Sequence, residues 1–247
     1  MTQMRPASLR IFALASIALA ALPALPGCSS GGHELRPAAQ ATRAAGLQNA
    51  AIASEHDVVV VAQADTWPGQ SRVTKHVTPL RVRISSANPQ PIAVKYENLV
   101  LVAEDGTRYV AIPPRAMQFA KATASGAAQP EQEPSRSSIS YSGFQIAPYL
   151  AQAYPGIQRY KGSFNYDTTY YAKYAKAYPV KWMPTSEMLS WALPEGVIDS
   201  GGYVEGYVYF QPVDRHEDVV RLNARFDKAA DPSEHIAKVE IPFQIAK

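Results

Sequence analysis

Apolar and polar residues alternate at a spacing of two over several stretches of the chain. In TPLRVRIS, Leu80, Val82 and Ile84 fall on one side and Arg81 and Arg83 on the other. VVRLNARF sets Val220, Leu222, Ala224 and Phe226 against Arg221, Asn223 and Arg225. AKVEIPFQIA sets Val239, Ile241, Phe243 and Ile245 against Lys238, Glu240 and Gln244. GYVEGYVYFQ turns Val204, Val208 and Phe210 inward. Successive side chains of a strand point to opposite faces, so this period predicts strands with one buried and one wet face. DVVVVAQA, from Asp57, is a β-branched run of the kind strands favour. In AVKYENLVLVAEDGTRYVAI, apolar runs flank Glu104-Asp105-Gly106, and Asp-Gly is a preferred tight-turn pair. That stretch predicts a hairpin, which Pro113-Pro114 ends. The expectation is a mainly β chain: an antiparallel immunoglobulin-like β-sandwich of about seven strands, formed by one domain over residues 57–247. It lacks the Cys-Trp-Cys core of antibody domains.

The period fails between about residues 116 and 194, which are read as a partly helical insertion. Its first part, KATASGAAQPEQEPSRSS, is low in complexity and is expected to be disordered. Its second part holds nine of the chain's fourteen tyrosines, from Tyr141 to Tyr178. In TTYYAKYAKAY, Tyr170, Tyr174 and Tyr178 recur every fourth residue and Tyr171 joins them, which places the rings on one helical face. PTSEMLSWALPEG predicts a short helix capped by Thr185 or Ser186 and stopped by Pro194. Tyrosine joins a flat apolar body to a polar tip, which suits glycan stacking and protein interfaces. Tyr160, Tyr166, Tyr170, Tyr171, Tyr174 and Tyr178 are therefore the candidate binding surface. The alternative is that these rings cover an open edge of the sandwich and leave their hydroxyls in water.

Ahead of the strands, residues 28–56 are rich in Gly, Ala, Gln and Ser and sustain no apolar stripe. They are expected to be a flexible tether of about 30 Å. Ala38–Ala53 would be weakly helical and His33 and His56 solvated. Residues 1–27 follow the plan of an export signal: Arg5 and Arg10, then an apolar run from Ile11 to Leu25. That run is too short to span a bilayer comfortably, which takes about 20 residues.

The run ends in Leu25-Pro26-Gly27-Cys28. This resembles the lipobox of bacterial lipoproteins. The resemblance implies cleavage between Gly27 and Cys28, a diacylglycerol thioether on Cys28, and acylation of the new amine with a chain such as palmitate. Two or more acyl chains anchor a protein stably where one binds marginally. Ser29, by the same resemblance, favours the outer membrane over the inner. Cys28 is the only cysteine, so lipidation leaves no internal disulfide and no thiol nucleophile.

The formal charge is +3, and without Arg5 and Arg10 it falls to 22 basic against 21 acidic residues. A near-neutral chain has no broad electrostatic footprint for nucleic acid. His76, His216 and His235 lack the spacing of a zinc site, and no cofactor is expected. No G-x-S-x-G elbow and no Ser-x-x-Lys pair occurs. Gly201-Gly202 reads as a hairpin turn and His216-Glu217-Asp218 as a solvated turn. NLVLVAEDGTRYVAIPP and LPEGVIDSGGYVEGYVYF look similar to repeated elements of immunoglobulin-like lipoproteins of unknown function, a resemblance that carries no activity. The expected function is that of a non-catalytic envelope lipoprotein, held to the membrane by its N-terminal lipid, that binds a protein or glycan partner. The alternatives are a hydrolase acting on a cell-wall or lipid substrate and a structural or assembly component of an envelope complex.

Overall fold

Leu80, Val82, Ile84, Val204, Val208, Phe210, Leu222, Phe226, Ile241 and Phe243 are all buried, as their period requires. They line the inside of one antiparallel sheet in a computed structural model that describes residues 34–115, 138–175 and 182–246. The strands are β1 (Leu35–Pro37), β2 (Ala50–Glu55), β3 (Val58–Gln63), β4 (Thr78–Ser86), β5 (Ile92–Val94), β6 (Leu99–Ala103), β7 (Arg108–Val110), β8 (Ser140–Ile146), β9 (Gly196–Phe210), β10 (Val219–Lys228) and β11 (Asp231–Ile245). The order is β1-β11-β10-β5-β9-β4-β3-β2, with β6 joined to β10 and β7, and β8 joined to β9. The two ends of this order are drawn together. Beyond β1 the chain pairs with β2 through an Arg43–Ala51 bridge, and Ile52 N–H donates to Thr42 O at 2.9 Å. The sheet is thus nearly closed into a barrel, which removes most of its exposed edge.

The mainly β, antiparallel expectation holds. In place of a seven-strand sandwich, the described residues form a sheet of eleven strands. Period two marks which face of a strand is buried. It is silent on whether that face meets a second sheet or the far wall of its own. β1 and β5 have three residues each, too few for any period to register, whereas the hairpin expected around Asp105-Gly106 forms as β6 and β7. The stretch read as a tether lies in the sheet from Leu35 onward, and β2 replaces the weak helix over Ala38–Ala53. Ala50 and Ala51 are fully buried there. Close packing against neighbouring strands overrides the helical preference of alanine. The insertion also contributes to the sheet, through β8. The expected disorder at residues 121–138 falls almost wholly outside the described residues, as do the leader, Gly27 and Cys28.

Gly201 and Gly202 make no hairpin. They lie within the 15-residue β9, where Gly201 has φ +78°. Opposite them the β8–β9 register shifts between Ser142 and Phe144, at Gly143 with φ +55°. A Cβ on Gly202 would stand 2.4 Å from Gly143 O, so the two strands can bend together only with glycine there. Before the bend β9 pairs with β5, and after it with β4.

The space between β9 and β10 is filled from both ends. β5 pairs with both strands at one end. At the other, β6 pairs with β10 and the chain after β7 returns to β9 through the Ala111–Phe210 bridge. The 3-10 turn Tyr96–Asn98 links β5 to β6 at the junction. Three short helices complete the described fold: α1 (Ser71–Thr74), α2 (Thr168–Ala175) and α3 (Ser186–Trp191). Thr185 caps α3 as expected, its hydroxyl accepting from Met188 N–H at 3.1 Å. Asp167 does the same for α2, accepting from Thr169 and Tyr170 N–H at 2.8 and 3.1 Å.

Candidate functional site: a buried acid in a tyrosine cage

The segment before β9 is pressed onto the barrel. Leu193 N–H donates to Tyr207 O at 2.8 Å, and Gly196 pairs with Val94 of β5 on one side and Ile146 of β8 on the other. A Cβ on Gly196 would stand 2.1 Å from Gln145 O, so only glycine lets the strands meet here. Between these fixed points the Glu195 side chain turns inward, and the residue is 2% exposed.

Its carboxyl is met from three other elements. Oε1 accepts the backbone N–H of Tyr96 at 2.7 Å and the hydroxyl of Tyr171 in α2. Oε2 accepts the hydroxyl of Tyr149, from the turn after β8. Burial dominates its ionisation and pushes the carboxyl up to about 7. The three donated bonds pull the other way, and the charge of Glu97 adds to the rise. The same burial, with the negative charge of Glu195, holds the Tyr149 and Tyr171 hydroxyls well above the ordinary phenol range. They therefore stay protonated and available as donors.

Around this centre the rings pack in series. Centroid separations are 4.6 Å for Tyr149–Tyr166, 5.0 Å for Tyr166–Tyr171, 5.4 Å for Tyr170–Tyr171 and 4.6 Å for Tyr170–Tyr174. Tyr170 donates to Ala111 O just past β7, and Tyr96 donates to Leu193 O at 2.9 Å. The Arg115 guanidinium lies 5.2 Å from the Tyr154 ring centroid and donates to Leu189 O at 3.2 Å. The crevice bounded by Tyr96, Arg115, Tyr149, Tyr154, Leu193 and Glu195 has room for about one water molecule.

Of the candidate surface residues, Tyr171 is buried in the cage, and Tyr166, Tyr170 and Tyr174 are half-buried along the ring series. Tyr160 is half-buried and stands apart, its N–H donating to Ile146 O at 2.9 Å. Tyr178, like Gly27 and Cys28, lies outside the described residues. Sequence reasoning missed Glu195, Tyr149 and Tyr96. The available signal was one acid within the apolar stretch WALPEGVI.

A second aromatic cluster, also missed, sits where the β3–α1 connection meets α3. It gathers all three tryptophans of the chain, each half-buried. Trp67 is met edge-on by Trp191, Tyr207 and Tyr209 at 5.2, 5.2 and 5.5 Å, and its indole N–H donates to Gln70 O at 3.2 Å. Arg72 lies over the Trp182 ring at 4.4 Å, and His76 meets the same ring at 5.5 Å. Residues 67, 182 and 191 are too far apart in the chain for this convergence to show in any local pattern. Among the described residues, no group of three or more His, Cys, Asp or Glu is placed to hold a metal ion. No protein-family model matches the chain, and no curated protein or solved structure matches it.

Proposed function

We propose that the chain is a lipid-anchored, non-catalytic protein of the bacterial cell envelope that binds a protein partner through its tryptophan face. The observation that carries this is that Trp67, Trp182 and Trp191, each half-buried, pack against one buried cluster, with Arg72 over the Trp182 ring. Tryptophan and arginine dominate the energetics of protein interfaces because they desolvate a large area at small entropic cost. A glycan fits less well: Arg72 already covers a face of Trp182 on which a sugar would have to stack. The tyrosine insertion is the weaker candidate surface, since Tyr149, Tyr170 and Tyr171 direct their hydroxyls to internal acceptors. A hydrolase gains little support from a crevice sized for water around an acid whose two oxygens both accept internal bonds. The lipobox-like Leu25–Cys28 segment supports the anchor, with Cys28 as the lipidated residue and the outer membrane as its address.

In-cell photo-crosslinking tests the surface. A photoreactive residue at position 72 is expected to give a discrete protein adduct that a Trp182→Ala background removes at temperatures where that variant is still fully folded. Adducts from position 174 in the tyrosine segment, with none from position 72, would overturn the assignment.

A further inference from the structure

We propose that the Glu195 cage is a protonation-controlled latch, tightening the tyrosine-rich segment 148–175 onto the barrel while the acid is neutral and loosening it when the acid ionises. Glu195 belongs to the barrel wall, whereas Tyr149 and Tyr171 stand at the two ends of that segment, so one carboxyl holds both. The segment is held elsewhere too: Tyr170 donates to Ala111 O, Asp167 N–H to Glu97 Oε2 at 2.6 Å and Tyr160 N–H to Ile146 O at 2.9 Å, Ile146 N–H donates to Gln158 O at 2.8 Å, and Leu150, Ala153, Tyr154 and Ile157 are buried in the core, so the acid sets how often the segment opens and does not hold it alone.

The charged and titratable groups facing the acid are known from each element packed on it. The β5–β6 turn brings Tyr96, whose hydroxyl donates to Leu193 O, and Lys95 and Glu97, which pair with each other at 3.6 Å. The chain past β7 brings Arg115, which lies against Tyr154. The turn after β8 brings Tyr149 and Tyr154, and the α2 segment brings Tyr166, Tyr170, Tyr171 and Tyr174. The charge of Glu97 opposes ionisation, in the same direction as burial. A neutral Glu195 is readily accommodated, because a tyrosine hydroxyl both donates and accepts and can turn to receive the acid proton.

The sign follows from linkage. In the closed state the carboxyl is pushed up to about 7, whereas in the open, hydrated state it returns toward its ordinary value of 4.5. Between those limits the open state sheds its proton and the closed state keeps it. The contribution of the neutral acid to closure is therefore full below the lower limit and is lost as pH rises through the upper one. Between those limits the opening constant climbs by up to about tenfold per pH unit, about fortyfold from pH 5 to pH 7, and then levels.

Amide hydrogen exchange on the full chain, corrected for intrinsic rates, reads this directly. Peptides from segment 148–175 should lose protection by that factor, while β4 and β9 amides stay flat. Glu195→Gln cannot ionise and should leave the segment protected at every pH. Tyr171→Phe removes a donor that favours the carboxylate, so the levelling point should move to higher pH. A merely structural tyrosine would lower protection by the same factor throughout. The latch is overturned if wild-type exchange in the segment changes less than about threefold, if Glu195→Gln keeps the climb, or if the barrel amides climb in parallel.

Discussion

Gly206→Ala is the substitution whose cost can be worked most directly from the coordinates. Gly206 pairs with Val82 in the middle of β9. A Cβ there would stand 2.7 Å from Leu193 Cα, 2.8 Å from Leu193 N and 3.1 Å from Trp191 O. Carbon atoms rest at about 3.5–4.0 Å, so the crossing segment must lift by about 1 Å. All three obstacles are backbone atoms, and no rotamer change relieves them. Lifting Leu193 also loosens its N–H bond to Tyr207 O and the bond from Tyr96 to Leu193 O. Overpacking of this kind costs about 1–3 kcal/mol, and a weakened backbone bond adds about 1 kcal/mol. A loss of about 3 kcal/mol is therefore expected, or about 6–12 °C in melting temperature for a chain of this size. Gly156→Ala is the control, since nothing lies within 4 Å of a Cβ there. It should be neutral, or stabilising by up to about 1 kcal/mol. Thermal and urea unfolding of both variants reads the difference. If Gly206→Ala unfolds within about 0.5 kcal/mol of wild type, the crossing is not close-packed and the reasoning fails.

Thr185→Ala removes the hydroxyl that accepts Met188 N–H and should cost about 1 kcal/mol in urea unfolding, with Thr185→Ser restoring most of it. Equal losses for Ala and Ser would mean that the methyl group, not the cap, matters. Cys28→Ala should abolish incorporation of labelled palmitate in cells, and incorporation that persists in the variant would refute the lipid anchor.

Much of this structure was legible in the residue order. The strands read from alternation, β4, β9, β10 and β11, put their predicted residues inside, because burial of one face is a local requirement repeated every second residue. The Asp105-Gly106 turn and the Thr185 cap were legible for the same reason: each is a bond between groups a few residues apart. β1 and β5 were not, since three residues are too few to carry a period. Ala50 and Ala51 pointed toward helix, and only neighbours brought from distant parts of the chain made them strand.

The residue order by itself determined that the chain is mainly β and antiparallel, which side of β4, β9, β10 and β11 is buried, and where α3 begins. The tertiary structure alone decided that the sheet nearly closes, that Glu195 lies beneath Tyr149 and Tyr171, and that the three tryptophans pack against one buried cluster. Local order governs what one residue asks of its near neighbours. Closure, a buried acid and an aromatic patch depend on groups tens to more than a hundred residues apart, such as Tyr96 and Glu195, whose meeting is set by strand register and by glycines that admit close approach.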